Sequence, residues 1–297
     1  MHLIDYATLY SLFSMGIIGL TIHTLQERHR FLEILALWQG YVRNKDLVDQ
    51  FSITRQQAYQ DIRTYQKDYP ERLKKMVSGP YQFSAQYLFE APKHSLEHYL
   101  QWFSTGQFYA PQSSFNTALG EHCSVPQRYV APQVIAALTE AIRQQKRLEL
   151  GYVSLSNPEW EGRIFHPHTF VKTGLRWHVR GYCEKSQDYR DLVLSRCHGD
   201  AELLDTSQHT KEDDQVWNTQ VVLIFAPDPR LNDEQKEVVA HDYQMEDGQL
   251  RITTRAALVD YLLKEMQVKT HYLEGTPEAQ QLILVNPHDV KPWLFER

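Results

Sequence analysis

Two periods of hydrophobicity divide the chain. From Thr24 to Trp38 apolar side chains recur at helical spacing, with Leu25, Phe31, Leu32, Ile34, Leu35 and Trp38 on one stripe. Gly40 ends that run. A second helix is predicted from Asn44 as its N-cap, followed by a turn at Phe51-Ser52-Ile53. A third opens with Thr54 and Gln57 at capping-box spacing and stops at Pro70. In it Ala58, Ile62 and Tyr65 face inward, leaving Arg55, Gln56, Tyr59, Gln60 and Arg63 outside. Arg72 to Phe83 reads as two strands around Ser78-Gly79-Pro80. Three helices, a tight turn before the third and a basic hairpin make a winged helix-turn-helix. Arg bonds guanine edges and phosphates, Gln pairs with adenine, and hairpin lysines suit phosphates. The candidate DNA contacts are therefore Ser52, Thr54, Arg55, Gln56, Gln57, Tyr59, Gln60, Arg63, Lys74 and Lys75.

Beyond this segment lie an aromatic-rich helix at 93–110, a polar connector at 111–128 and a helix at 132–146. A β-rich block follows to residue 204, in which the period becomes two. Its short strands suggest a barrel with Greek-key or SH3-like closure. Pro167 places the strand 163–172 at an edge or bend. In the strand 174–183, Arg176, His178, Arg180 and Tyr182 share one face, and Trp177 and Val179 the other. Arg presents a planar fork of donors that matches phosphate or carboxylate. That face is either the floor of an anion site or a solvated sheet surface. Residues 205–218 read as a polar linker, with Glu212-Asp213-Asp214 as a solvated run. The remainder alternates β-α-β-α-β, a small α+β sandwich.

Composition narrows the function. With 297 residues, 42% hydrophobic, 23% charged and a net charge of -6, the chain is not a general polyanion binder. Nucleic-acid contact requires a local basic face. Three cysteines, Cys123, Cys183 and Cys197, are too few for a disulfide framework, which points to the cytoplasm. Leu9–Ile22 is apolar but shorter than a membrane span, and no Lys or Arg precedes it. It reads as a packed helix or as a non-native upstream extension. Fourteen histidines invite catalysis, but H-E-x-x-H, G-x-S-x-G, Walker and G-x-G-x-x-G patterns are missing from the sequence. His166 and His168 share a strand face without a third ligand, and Cys197 and His198 point apart. No enzyme activity, cofactor or metal is expected.

The order of these elements, with Trp177-His178-Val179, Leu192-Val-Leu-Ser-Arg196, His166-Pro167-His168 and Ala226-Pro-Asp-Pro-Arg-Leu231, resembles the WYL-domain transcriptional regulators. The Trp-Tyr-Leu signature of most members is here Trp-His-Val, and the His form is similar to the BrxR/CapW-type regulators of phage-defence operons. The resemblance implies an α+β multi-domain chain. It would hold an uncertain extension (1–23), a winged helix-turn-helix (24–92), a helical connector for dimerisation (93–131), an SH3/Sm-like WYL barrel (132–204) and a ferredoxin-like WCX domain (205–297). It implies a homodimeric repressor on an inverted-repeat operator in double-stranded DNA, with no membrane partner. An anionic nucleotide or nucleic-acid effector would bind Arg176, His178, Arg180 and Arg196, with Tyr152, Ser154, His168 and Arg190 as further candidates. The imidazole at 178 could add charge below neutral pH. The alternative is a nucleic-acid adaptor whose β-barrel is the main single-strand binder and whose helix-turn-helix contacts protein.

Overall fold

The computed structural model describes residues 24–76, 79–83, 95–108, 128–268 and 275–295. The apolar stretch Leu9–Ile22, Ser78, the connector through residue 127 and Cys123 lie outside them. The chain divides into two units, at Leu119/Gly120. No described helix is long and apolar enough to cross a membrane.

In the first unit α1 spans Leu25–Trp38. Its capping box is complete: the Glu27 N–H donates to Thr24 Oγ1 at 3.2 Å, and the Thr24 N–H to Glu27 Oε2 at 2.7 Å. Phe31, Leu32, Ile34, Leu35 and Trp38 are buried as the spacing predicts, whereas Leu25 in the first turn is exposed. The chain leaves α1 through Gly40, whose φ of 86° suits glycine. Helix α2 is Asn44–Phe51, but its N-cap is Arg43 and not Asn44, because Asp46 Oδ2 takes the Arg43 N–H at 2.8 Å. Ser52 turns the chain at φ 51° into α3, Arg55–Asp68. Strands β1 (Leu73–Lys75) and β2 (Tyr81–Phe83) form the hairpin, and α4 (Ser95–Thr105) buries Tyr99 and Leu100. Phe31 meets Phe51, Trp102 and Phe108 edge-on, tying α1, α2 and α4 into one core.

The second unit begins with α5, Pro132–Gln144, on an antiparallel sheet of β3 (Lys146–Tyr152), β4 (Glu161–Thr173), β5 (Arg176–Cys183), β6 (Asp188–Val193) and β7 (Cys197–Thr206). The strand order is β6-β5-β4-β3-β7. Among the described residues β6 and β7 do not pair, so the sheet is open where a closed barrel was expected. Strand β4 is interior, flanked by β3 and β5, so of the edge or bend inferred from Pro167 the edge does not hold. The strand absorbs the proline through a register shift between Pro167 and Thr169. There Gly181 faces Pro167, and a Cβ on Gly181 would lie 2.2 Å from the His166 carbonyl oxygen. A 3₁₀ turn at Leu194–Arg196 joins β6 to β7, which fills most of the interval to the expected linker.

Short α6 (Gln215–Asn218) leads to a second sheet, with β8 (Gln220–Pro227) between β9 (Leu250–Arg255) and β10 (Leu282–Leu284). Helices α7 (Asp233–Asp242), α8 (Val259–Glu265), α9 (Pro277–Gln280) and α10 (Pro287–Val290) complete the segment. Leu223, Phe225, Val259, Leu263 and Val290 anchor its core.

Candidate nucleic-acid interface and anion site

Helix α3 presents the outward set that its spacing predicts. Ser52, Thr54, Arg55, Gln56, Gln57, Tyr59, Gln60 and Arg63 are all exposed, while Ala58, Ile62 and Tyr65 are sealed inside. Thr54 caps the helix by accepting the Gln57 N–H at 3.1 Å. The capping box is only half made, because the Gln57 side chain donates instead to Asp61 Oδ1 at 2.8 Å. Asp61 is the first acid of the helix, and it is 2% exposed. Arg28 holds it through bonds of 2.7 and 3.3 Å. Its charge is thus neutralised from behind, and the open face keeps its basic character. Tyr59 and Arg63 support each other, with Arg63 Nη1 donating to the phenol at 3.2 Å. Lys74 and Lys75 are exposed on the hairpin. This surface offers guanidinium forks and amides without a competing carboxylate, which is what duplex grooves and phosphates select.

The row on β5 is divided by its middle member. Arg180 is 5% exposed and gives Asp214 two bonds, of 2.6 and 3.0 Å, and Asp191 one of 3.2 Å. It therefore leaves the set of open effector donors, a correction to its expected role. Asp214, read as part of a solvated run, is fully buried. Burial works to raise its pKa, but hydrogen bonds from His168 and Arg180 prevail and bring it down to about 2. His168 is spent on this network at 3.2 Å. Arg190 pairs with Asp188 at the surface, Ser154 bonds Asn157 in its own loop, and the buried Tyr152 hydroxyl accepts the Val193 N–H. Each of these four has a partner of its own, and through Val193 the Tyr152 hydroxyl reaches the strand position paired with His178.

His178 feels the positive charges of Arg176 and Arg196. His178 is 4% exposed and its Nδ1 has no hydrogen-bond partner. Burial, then the positive charges of Arg176, Arg196 and Arg128, lower its pKa to about 4. The imidazole is therefore neutral across the physiological range and adds no charge just below neutral pH, contrary to expectation. Positive charge acting on a buried imidazole whose Nδ1 has no hydrogen-bond partner among the described residues favours an anion there.

Three family profiles match successive parts of the chain. They are the BrxR transcriptional regulator winged helix-turn-helix domain at residues 24–105, the WYL domain at 133–199, and the BrxR C-terminal dimerization domain at 220–290. The DNA-binding transcriptional repressor CapW of Escherichia coli (strain KTE188) is 30% identical over 271 residues, spanning 89% of this chain and 90% of that protein. The chain belongs to this family. CapW of Pseudomonas aeruginosa is 29% identical over 90% of each chain. Among solved structures, proteasome accessory factor B/C of Arthrobacter aurescens is 16% identical, covering 91% of this chain and 48% of that one. Its TM-score of 0.23 is below that of a shared fold.

In this CapW relative, sequence reasoning missed four residues in and around the candidate site on β5. Arg128 sits in the connector, where no periodicity marks it, and Tyr261 is hidden in an ordinary helical pattern. Asp191 and Asp214 lie on β6 and just before α6, and only the fold brings them to Arg180. At the far end of the row, Tyr182 stacks on His209 with centroids 3.6 Å apart. Together with His166, Glu184 and Arg147 they line a separate polar cavity of about 310 Å³. No described group of three or more His, Cys, Asp or Glu side chains is arranged to hold a metal ion.

Proposed function

We propose that this chain is a homodimeric, cytoplasmic DNA-binding repressor of a phage-defence operon, released by an anionic nucleotide or nucleic acid bound at Arg176, His178 and Arg196. The observation that carries the DNA half is the exposed face of α3, whose first acid, Asp61, is buried and neutralised. Two subunits would present Arg55, Gln56, Tyr59, Gln60 and Arg63 to the half-sites of an inverted repeat, with Lys74 and Lys75 on phosphates. The match to a dimerization domain supports assembly through the C-terminal segment. We read the open five-stranded sheet as an SH3/Sm-like WYL domain and the C-terminal segment as a ferredoxin-like WCX domain, in the boundaries set out above.

The test is footprinting and gel shifts on the duplex upstream of the protein's own gene. Arg55→Ala and Arg63→Ala are expected to weaken operator binding by about 1–3 kcal/mol each, and unchanged affinity removes them from the interface. Arg176→Ala and Arg196→Ala are expected to retain operator binding but to lose release by a single-stranded oligonucleotide. Release that survives both changes rejects the effector site.

A further inference from the structure

The exposed face of α3 carries an order of its own. Tyr59 and Arg63 stand one turn apart on the helix and so share a face. Arg63 Nη1 donates to the Tyr59 hydroxyl at 3.2 Å, and its guanidinium carbon stands 5.9 Å from the centre of the Tyr59 ring. Both side chains are exposed, Tyr59 at 38%. The bond engages Nη1 alone, so the edge formed by Nε and Nη2 has no partner among the described residues. Gln56, Gln60 and Arg63, at i, i+4 and i+7, make one outward stripe. The Gln57 amide, by contrast, is already given to Asp61 at 2.8 Å.

An arginine side chain that swings freely loses rotamer entropy when it docks. Phosphates line the whole DNA backbone and accept a guanidinium from many directions, so a loose side chain serves there. A base edge stands in one place. Guanine O6 and N7 accept a fork of parallel N–H bonds only from a fixed orientation. A bond that holds one prong and leaves the other edge open suits the second task. We propose, resting on the reading of α3 as the helix that enters DNA, that Tyr59 is a positioning residue. It reads no base itself, and aims the free edge of Arg63 at one guanine in each half-site. The outward residues of α3 thereby divide into readers and a support.

The experiment exposes the full chain to a pool of randomised duplexes and sequences those it retains. The wild-type chain is expected to enrich an inverted repeat with a G·C pair at a fixed place in each half. Arg63→Ala is expected to lower the preference for that guanine about tenfold or more, and Tyr59→Phe about three- to tenfold, with the other positions unchanged. In the Arg63→Ala background, Tyr59→Phe is expected to add no further loss. Lys75→Ala, on the hairpin, is expected instead to weaken binding to every duplex alike and to flatten its salt dependence. Wild-type guanine preference in Tyr59→Phe overturns the positioning role. So does a Tyr59→Phe loss that persists undiminished without Arg63, since the phenol would then touch DNA itself. An Arg63→Ala loss that falls on no guanine, or on every duplex alike as for Lys75→Ala, overturns the guanine assignment. These outcomes leave α3 standing as the DNA-binding helix, whereas enrichment of no sequence by the wild-type chain overturns that reading too. Should Tyr59→Phe fail to fold, Arg63→Lys decides, because it keeps the charge without the fork: guanine preference that survives it overturns the proposal.

Discussion

The face of α3 and the face of β5 are both rows of arginine and polar side chains, yet the fold treats them in opposite ways. On α3 the guanidiniums of Arg55 and Arg63 stay in water, and the one acid beside them is turned inward onto Arg28. On β5 the central guanidinium is buried between Asp191 and Asp214. The positive charges of Arg176, Arg196 and Arg128 act on His178. A surface charge on α3 can be exchanged at small cost to folding. A charge inside β5 is part of the core and acts on ligand through its neighbours.

The largest test of that contrast is Asp214→Ala. It leaves Arg180 buried with half its counter-charge and strips α6 of its cap, and is expected to destabilise the chain by about 3–5 kcal/mol in denaturant titration. Arg63→Ala, by comparison, is expected to shift stability by no more than about 0.5 kcal/mol. A loss of similar size in both would erase the distinction.

Acid is the next largest lever, and it acts on β5. His178 titrates near 4 in the folded chain against 6.5 ordinarily. Between those values the unfolded chain takes up a proton that the folded chain refuses, so stability falls as pH is lowered through that window. The loss is expected to reach up to about 3 kcal/mol, and His178→Gln is expected to remove this part of the slope. Asp214 acts in the same sense over a lower window, contributing stability above its ordinary 3.8 that is lost as pH falls towards about 2. Denaturation midpoints measured across pH in both proteins check the assignment; an unchanged slope in His178→Gln rejects it.

A smaller loss than either of those on β5 belongs to the start of α3. Thr54→Ala removes a single cap bond, which is worth about 1 kcal/mol in thermal unfolding. No loss there would mean that Gln57 and water satisfy the helix end without Thr54.

What could be read in advance follows the range of the interactions. The helices of the first unit rest on local spacing, so the inward and outward sets of α3 were legible from residues 54–65. The alternation along β5 was legible too, whereas Arg196 entered only through the family resemblance. The fate of Arg180 was not, because its partner Asp214 is 34 residues away in a stretch whose composition reads as solvated. Strand β7 escaped notice because its side chains lack a clean alternation and its register against β3 shifts twice. Pro167 misled because a bulge, invisible in composition, let an interior strand accept it.

Gly181 sets a limit on how the β5 row can be re-engineered. No methyl fits there, since the neighbouring carbonyl oxygen would stand 2.2 Å away. Position 181 is therefore a fixed fulcrum. The chemistry on either side of it, at His178 or at Tyr182, can be rewritten one letter at a time, but the spacing between those two ends is locked by a backbone that has no room to yield.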